Sequence, residues 1–155
     1  MNVKEVISKL GKLYPGKTII KNLDNNGIVT EIICETEPTQ DHPEYSEAIA
    51  VIDNSVMHFH KKLNETYTIL KGQLTVVTDV KLINLKKGDS ITMQPGTVHA
   101  NIGKETWCRV YSKPGWTLGD HIPLENLMKE ILARTQSKTK VKIDRMIRRK
   151  LPKSD

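Results

Sequence analysis

The run from His58 to Gly72, HFHKKLNETYTILKG, decides how the chain is read, and it is answered downstream by GDSITMQPGTVHAN, Gly88 to Asn101. His58 and His60 are two residues apart, so on a β-strand both imidazoles leave from the same face, because side chains alternate with period two. Glu65 follows after a tight turn at Lys62-Leu63-Asn64 and opens the returning strand of a hairpin. His99 lies beyond a Gly88-Asp89 turn and a Pro95-Gly96 step. Three neutral imidazoles and one carboxylate form a ligand set suited to a divalent first-row metal, with positions left for water or substrate. The set does not choose among manganese, iron, zinc and nickel, since affinity follows the same order in almost any such site.

These blocks resemble the two motifs of the cupin superfamily, HxHxxxxExxxxxxG and GDxxxxPxGxxHxxxN. The first matches without a gap through His58, His60, Glu65 and Gly72. In the second, Gln94 stands at the usual proline with Pro95 one place later, and Asn101 is two residues after His99 rather than four. Ile52 also replaces a glycine frequent in the family. The resemblance implies an all-β fold, the antiparallel cupin-type β-barrel also described as a double-stranded β-helix or jelly roll, with short N-terminal and C-terminal helices. It further implies a divalent metal ion on His58, His60, Glu65 and His99, a small-molecule substrate, and a homodimer.

The segment ETYTILKG is similar to one found in small cupin-type sugar and sugar-phosphate isomerases. That resemblance implies a metal-dependent isomerase of a small polar substrate, with Glu65, Tyr67 and Lys62 as the candidate catalytic residues. The proton-moving base stays open among Glu47, Lys62 and Tyr67. An anionic substrate would want a basic clamp, for which Lys61, Lys62 and Arg109 are the candidates. Two other classes stand beside it: an iron-dependent dioxygenase, and a non-catalytic metal or small-molecule binding module. Trp107, Arg109 and Tyr111 share one face of their strand and Cys108 and Val110 the other, and either face can be the inward one. His42 and His121, taken alone, read as ordinary surface or core histidines.

The 155 residues suffice for one domain with a sizeable core. Cys34 and Cys108 lie in apolar runs far apart and read as small buried thiols. No apolar stretch approaches the roughly 20 residues that span a bilayer, and the N-terminus has no signal-peptide core, so no membrane partner and a cytoplasmic location are expected. The net charge of +6 is concentrated at one end, with nine basic residues from Arg134 to Asp155 against Asp144 and Asp155. Residues 1–133 then hold 15 basic and 16 acidic side chains, so the basic composition says little about what the barrel binds. Residues 1–133 are therefore read as the cupin domain with its flanking helices, and 134–155 as a basic C-terminal tail. The tail lacks aromatic residues for stacking on bases, and reads as a solvated helix rather than as a surface for nucleic acid or an acidic partner.

In chain order, Val3, Val6, Ile7, Leu10 and Leu13 have helical spacing, and Tyr14-Pro15-Gly16 ends that helix. Short strands follow over 17–22, 28–35, 46–53, 56–60, 65–70, 73–78, 79–85, 90–93 and 106–112, with Ile102 to Glu105 expected as a turn. The segment 46–53 reads as buried on both faces. Strands with turns every 8 to 12 residues and no crossover helix describe an antiparallel barrel or sandwich. A second helix is expected over 123–133 from Leu124, Leu127, Met128, Ile131 and Leu132.

Overall fold

The computed structural model describes residues 1–125. The chain divides into two units, Met1–Pro123 and Leu124–Asp155, and the architecture below is that of the first. Of the helix expected over 123–133, Pro123 ends a strand while Leu124 and Glu125 are helical. The rest of it, and the basic segment from Arg134 onward, lie outside the described residues.

Helix α1 (Val3–Leu13) begins at Asn2, whose side-chain oxygen accepts from the Glu5 amide at 3.4 Å. Lys9 reaches back one turn to Glu5 at 2.6 Å. Its apolar stripe is fully buried at Val6 and Leu10. Ten strands follow: β1 (Ile19–Leu23), β2 (Val29–Glu37), β3 (Ser46–Asn54), β4 (His58–His60), β5 (Asn64–Lys71), β6 (Gln73–Thr78), β7 (Leu82–Lys86), β8 (Ser90–Met93), β9 (His99–Lys113) and β10 (His121–Pro123). They form one antiparallel sheet whose main path runs β1-β2-β3-β9-β4-β10. Strand β9 is its spine, pairing with β3, β4, β5 and β6 along its 15 residues.

Period-two alternation splits the apolar residues of β2 and β3 between two cores. Inside the barrel, Ala50, Ile52, Tyr67, Ile69, Leu74, Val76, Leu85, Met93 and Cys108 pack together, with Ile33 against them. On the other side of the same strands, Val6 and Leu10 of α1 pack on Ile32, Cys34, Ile49, Val51 and Trp107. Strand β3 is thus buried on both faces, as its sequence suggested. At roughly 25 cal/mol per Å² of apolar surface removed from water, each fully buried Leu or Ile here contributes about 1.5–3 kcal/mol before entropy is charged.

The turn expected at Ile102–Glu105 is part of β9. Ile102 and Gly103 pair with Thr75 and Leu74 of β6, and the ladder to β3 skips from Asn54↔Ile102 to Ile52↔Thr106. The intervening residues form a bulge, with Glu105 at φ 47° and its amide donating to Asp53 Oδ1 at 2.6 Å. Gly103 is required there because a Cβ would sit 2.7 Å from the Ile52 carbonyl oxygen. The β10 strand was not anticipated; it pairs with β4, so that His121 lies opposite His60. No helix among the described residues is long and apolar enough to cross a membrane.

Candidate metal centre

His58 and His60 are the first and last residues of β4, and both rings turn inward, 3% and 2% exposed. His99 opens β9 directly opposite His58 in the ladder and is completely buried. Glu65 enters from β5 on the same inner face as Tyr67 and Ile69, as the alternation of that strand required. One ligand atom from each of His58, His60, Glu65 and His99 lies within 4.8 Å of all the others.

Backbone carbonyls set the orientation of two of the rings. His58 Nδ1 lies 2.8 Å from the Val56 carbonyl oxygen and His99 Nδ1 2.9 Å from that of Thr97. In His58 the Nδ1–H donates to its carbonyl, which leaves the Nε2 lone pair facing the centre, while His99 Nε2 lies 3.1 Å from Glu65 Oε2. His60 is different. Both of its ring nitrogens are buried without a hydrogen-bond partner, Nδ1 lying 3.7 Å from Asp120 Oδ2 and Nε2 3.5 Å from Glu65 Oε2. A buried polar atom without a partner costs about 1–3 kcal/mol, so a ligand for Nε2 resolves a real deficit.

The charges agree. Burial would push the Glu65 carboxyl up, but the His60 and His99 imidazoles beside it outweigh burial and hold it well below the usual carboxylate range. Burial, with His99 and His121 adding to it, pulls His58 down to about 3, so this imidazole is neutral at physiological pH. A neutral His58 and an ionised Glu65 are in the protonation states that ligation needs. The group is positioned for a divalent metal ion.

The centre opens onto a cavity of about 420 Å³, lined by His58, Glu65, Tyr67, Val110 and Ser112 among others. Tyr67 donates from its hydroxyl to Glu65 Oε2 at 2.8 Å, and burial and the Glu65 charge hold its phenol well above the ordinary value. Cys108 and Val110 are the inward pair of β9, and Trp107 lies instead under α1. Arg109 is half exposed, 3.8 Å from Glu47, and Tyr111 stacks on Tyr45. Lys61 and Lys62 are exposed in the β4–β5 turn and do not line the cavity.

Three residues that the sequence did not single out also belong to the site. His121 stacks on His58 with ring centroids 4.1 Å apart and lines the cavity, so it is not the ordinary histidine expected. Burial, then His60, pulls it down to about 4. Asp120 holds the β4–β5 turn by accepting from the Leu63 amide at 3.3 Å, and its carboxylate faces His60. Glu31 of β2 lines the cavity wall. Only a pairing of β10 with β4, invisible in local sequence, brings His121 and Asp120 here.

A family profile described as the cupin domain matches residues 35–111. This chain carries a cupin domain. Solved structures of the same fold include PAC13 from Streptomyces with uridine, at TM-score 0.61 and 13% identity over 71% of this chain and 86% of that one. PAC13 is described as a nucleoside dehydratase. An oxalate decarboxylase variant from Bacillus subtilis has TM-score 0.62 and 11% identity over 79% of this chain. The iron(II) protein HppE has TM-score 0.54 and 16% identity over 63% of this chain. This chain spans 35% of the decarboxylase and 56% of HppE. At these identities the likeness is one of fold. No curated protein matches this cupin in sequence.

Proposed function

We propose that this cupin is a metal-dependent enzyme, cytoplasmic and homodimeric, that isomerises a small, uncharged, polyhydroxylated substrate of the sugar type. The observation that carries the reading is a buried three-histidine, one-glutamate group opening onto a cavity of small-molecule size. The charge of the wall favours an uncharged substrate over a phosphorylated one. Lys21 is the one basic chain among the described lining residues, against Glu31, Glu35, Glu37, Glu47 and Glu65. Lys61, Lys62 and Arg109, the expected clamp for an anion, stand outside that lining.

A bound divalent ion would supply Lewis acidity toward a substrate oxygen. The protein's own part is orientation and exclusion of water. Tyr67 fixes the Glu65 carboxylate, His121 packs against His58, and the inner apolar floor of Ala50, Ile33 and Val110 displaces solvent from one side of the cavity.

The test is to load the purified protein with each divalent metal and offer neutral aldoses and ketoses, their phosphates, and 2-oxo acids. We expect interconversion of neutral sugars with no oxygen uptake. Oxygen consumption on iron loading would move the assignment to a dioxygenase, and a panel in which no compound raises the melting temperature would leave a binding module. Light scattering on the same sample reads the oligomeric state.

A further inference from the structure

The isomerase reading leaves the proton unassigned: Glu65 is taken up by the metal group, and the Tyr67 phenol is held protonated against it. Strand β2 supplies what is missing. Its outward residues Ile32 and Cys34 are fully buried beneath α1, so the alternation turns Glu31 and Ile33 toward the inside of the barrel. Ile33 packs on the inner core, and Glu31 lines the cavity that also exposes His58, Glu65, Tyr67 and His121. On the neighbouring strand β3, Ala50 and Ala48 pair with Ile33 and Glu35 and line the same cavity with small side chains.

We propose that Glu31 is the proton-transfer residue of this cavity, a carboxyl that faces the His58, His60, Glu65 and His99 group across the bound substrate. The proposal rests on the isomerase reading for the identity of the proton moved. Asn22 of β1 donates to Glu31 Oε2 at 2.8 Å, which fixes the carboxyl plane. Among the described residues no hydrogen bond occupies Oε1 and no cation pairs with the group. The other cavity carboxylates differ: Glu37 pairs with His42 at 3.1 Å and Glu47 with Arg109 at 3.8 Å. The other charged and titratable groups lining this cavity are Lys21 on β1, Glu35 and Glu37 on β2, Glu47 on β3, His58 on β4, Glu65 and Tyr67 on β5, and His121 on β10. Burial, with the Glu65 charge adding to it, pushes Glu31 up to about 7 against the pull of Asn22, so acid and base forms are both populated at neutral pH. A group balanced in this way is suited to remove a proton and return it.

In the step itself the Glu31 carboxylate takes the C2 proton of an open-chain aldose. The C2–H electron pair becomes the C1–C2 double bond and the carbonyl pair moves onto O1. The O2 hydroxyl proton passes to O1, O2 becomes the new carbonyl, and Glu31 returns its proton to C1. Glu31 ends as it began, and no oxidant or reductant is consumed.

The experiment compares the wild type with Glu31→Gln and Glu31→Asp, all metal-loaded. Metal content, sugar-induced melting shift and exchange of the substrate C2 hydrogen with D2O are read across pH, and side-chain carboxyl titration is followed by carbon NMR. We expect Glu31→Gln to keep the metal and to bind sugar within about threefold of wild type. It should lose exchange at least about 100-fold, the usual contribution of a general base, together with the near-neutral limb of the pH profile. Glu31→Asp should recover part of the rate. Exchange at the wild-type rate in Glu31→Gln would overturn the proposal and leave the isomerase reading intact. If the wild type exchanges no sugar at all, the isomerase reading has failed, and the titration decides Glu31 alone. A near-neutral carboxyl that disappears in Glu31→Gln upholds it, and its absence from the wild type overturns it.

Discussion

The hydroxyl of Tyr67 donates 2.8 Å to Oε2 of Glu65, the same oxygen that lies 3.1 Å from Nε2 of His99 and 3.5 Å from Nε2 of His60. One carboxylate oxygen therefore gathers a phenol and two imidazoles. Tyr67 acts on the centre by fixing this oxygen. Tyr67→Phe is expected to leave the barrel folded and to weaken divalent-metal affinity roughly 10–100-fold, the usual cost of losing a partner behind a ligand. Calorimetric titration of the metal-free protein measures it. An unchanged affinity would make Tyr67 a packing residue.

Acid should destabilise the metal-free protein well above the ordinary carboxylate range. His58 and His121 are lowered from 6.5 to about 3 and about 4, so below pH 6.5 the unfolded chain takes up protons that the folded chain refuses. The contribution of these two histidines is then full above pH 6.5 and is lost as the pH falls toward 4 and then 3. Glu65, also lowered from its usual 4.5, adds a loss of the same sign only below pH 4.5. Glu31, raised from 4.5 to about 7, works the other way and offsets one of the two histidines. The melting temperature of chelated protein should therefore fall only below pH 6.5, more steeply in Glu31→Gln, while His121→Phe, which keeps the stacking and removes the titration, should flatten the slope. A flat wild-type curve down to pH 5 would contradict the assignment.

The two cores should be separable. Leu10 is fully buried between α1 and the outside of β2 and β3. Leu10→Ala is expected to cost about 2–5 kcal/mol in denaturant unfolding, with metal affinity unchanged, because that core includes none of His58, His60, Glu65 and His99. A parallel loss of metal affinity would mean that α1 supports the centre.

Gly103 tests the continuity of β9. A Cβ there would meet the Ile52 carbonyl oxygen and Thr106 Oγ1, each at 2.7 Å. Gly103→Ala should destabilise by about 1–3 kcal/mol, in the manner of an overpacked site. A free surface turn would accept the change at little cost.

The candidate group was legible because His58, His60 and Glu65 sit on two strands joined by one tight turn, where period-two alternation fixes the direction of each side chain. His99 joined them through the resemblance of Gly88 to Asn101 to the second cupin motif, in which it keeps its distance from Gly96. What stayed hidden depends on pairings that local sequence does not encode. Gly103 reads as a turn residue unless Ile52 is known to press against it. Glu31 was hidden by the ordinary rule that the apolar face of a strand points into the barrel. In β2, Ile32 and Cys34 point outward beneath α1, and the face carrying glutamates lines the cavity. His121 and Asp120 reach the centre only because a three-residue strand returns to pair with β4.

Whether four side chains hold one ion is decided most directly at His60, since both of its nitrogens are buried without a hydrogen-bond partner. Elemental analysis of wild type and His60→Ala, each loaded with a divalent metal and dialysed, measures this, with circular dichroism to confirm the barrel. The expected result is one ion per wild-type chain and essentially none in a folded His60→Ala. A wild type that binds no divalent ion, or a variant that keeps its full complement, would contradict the account.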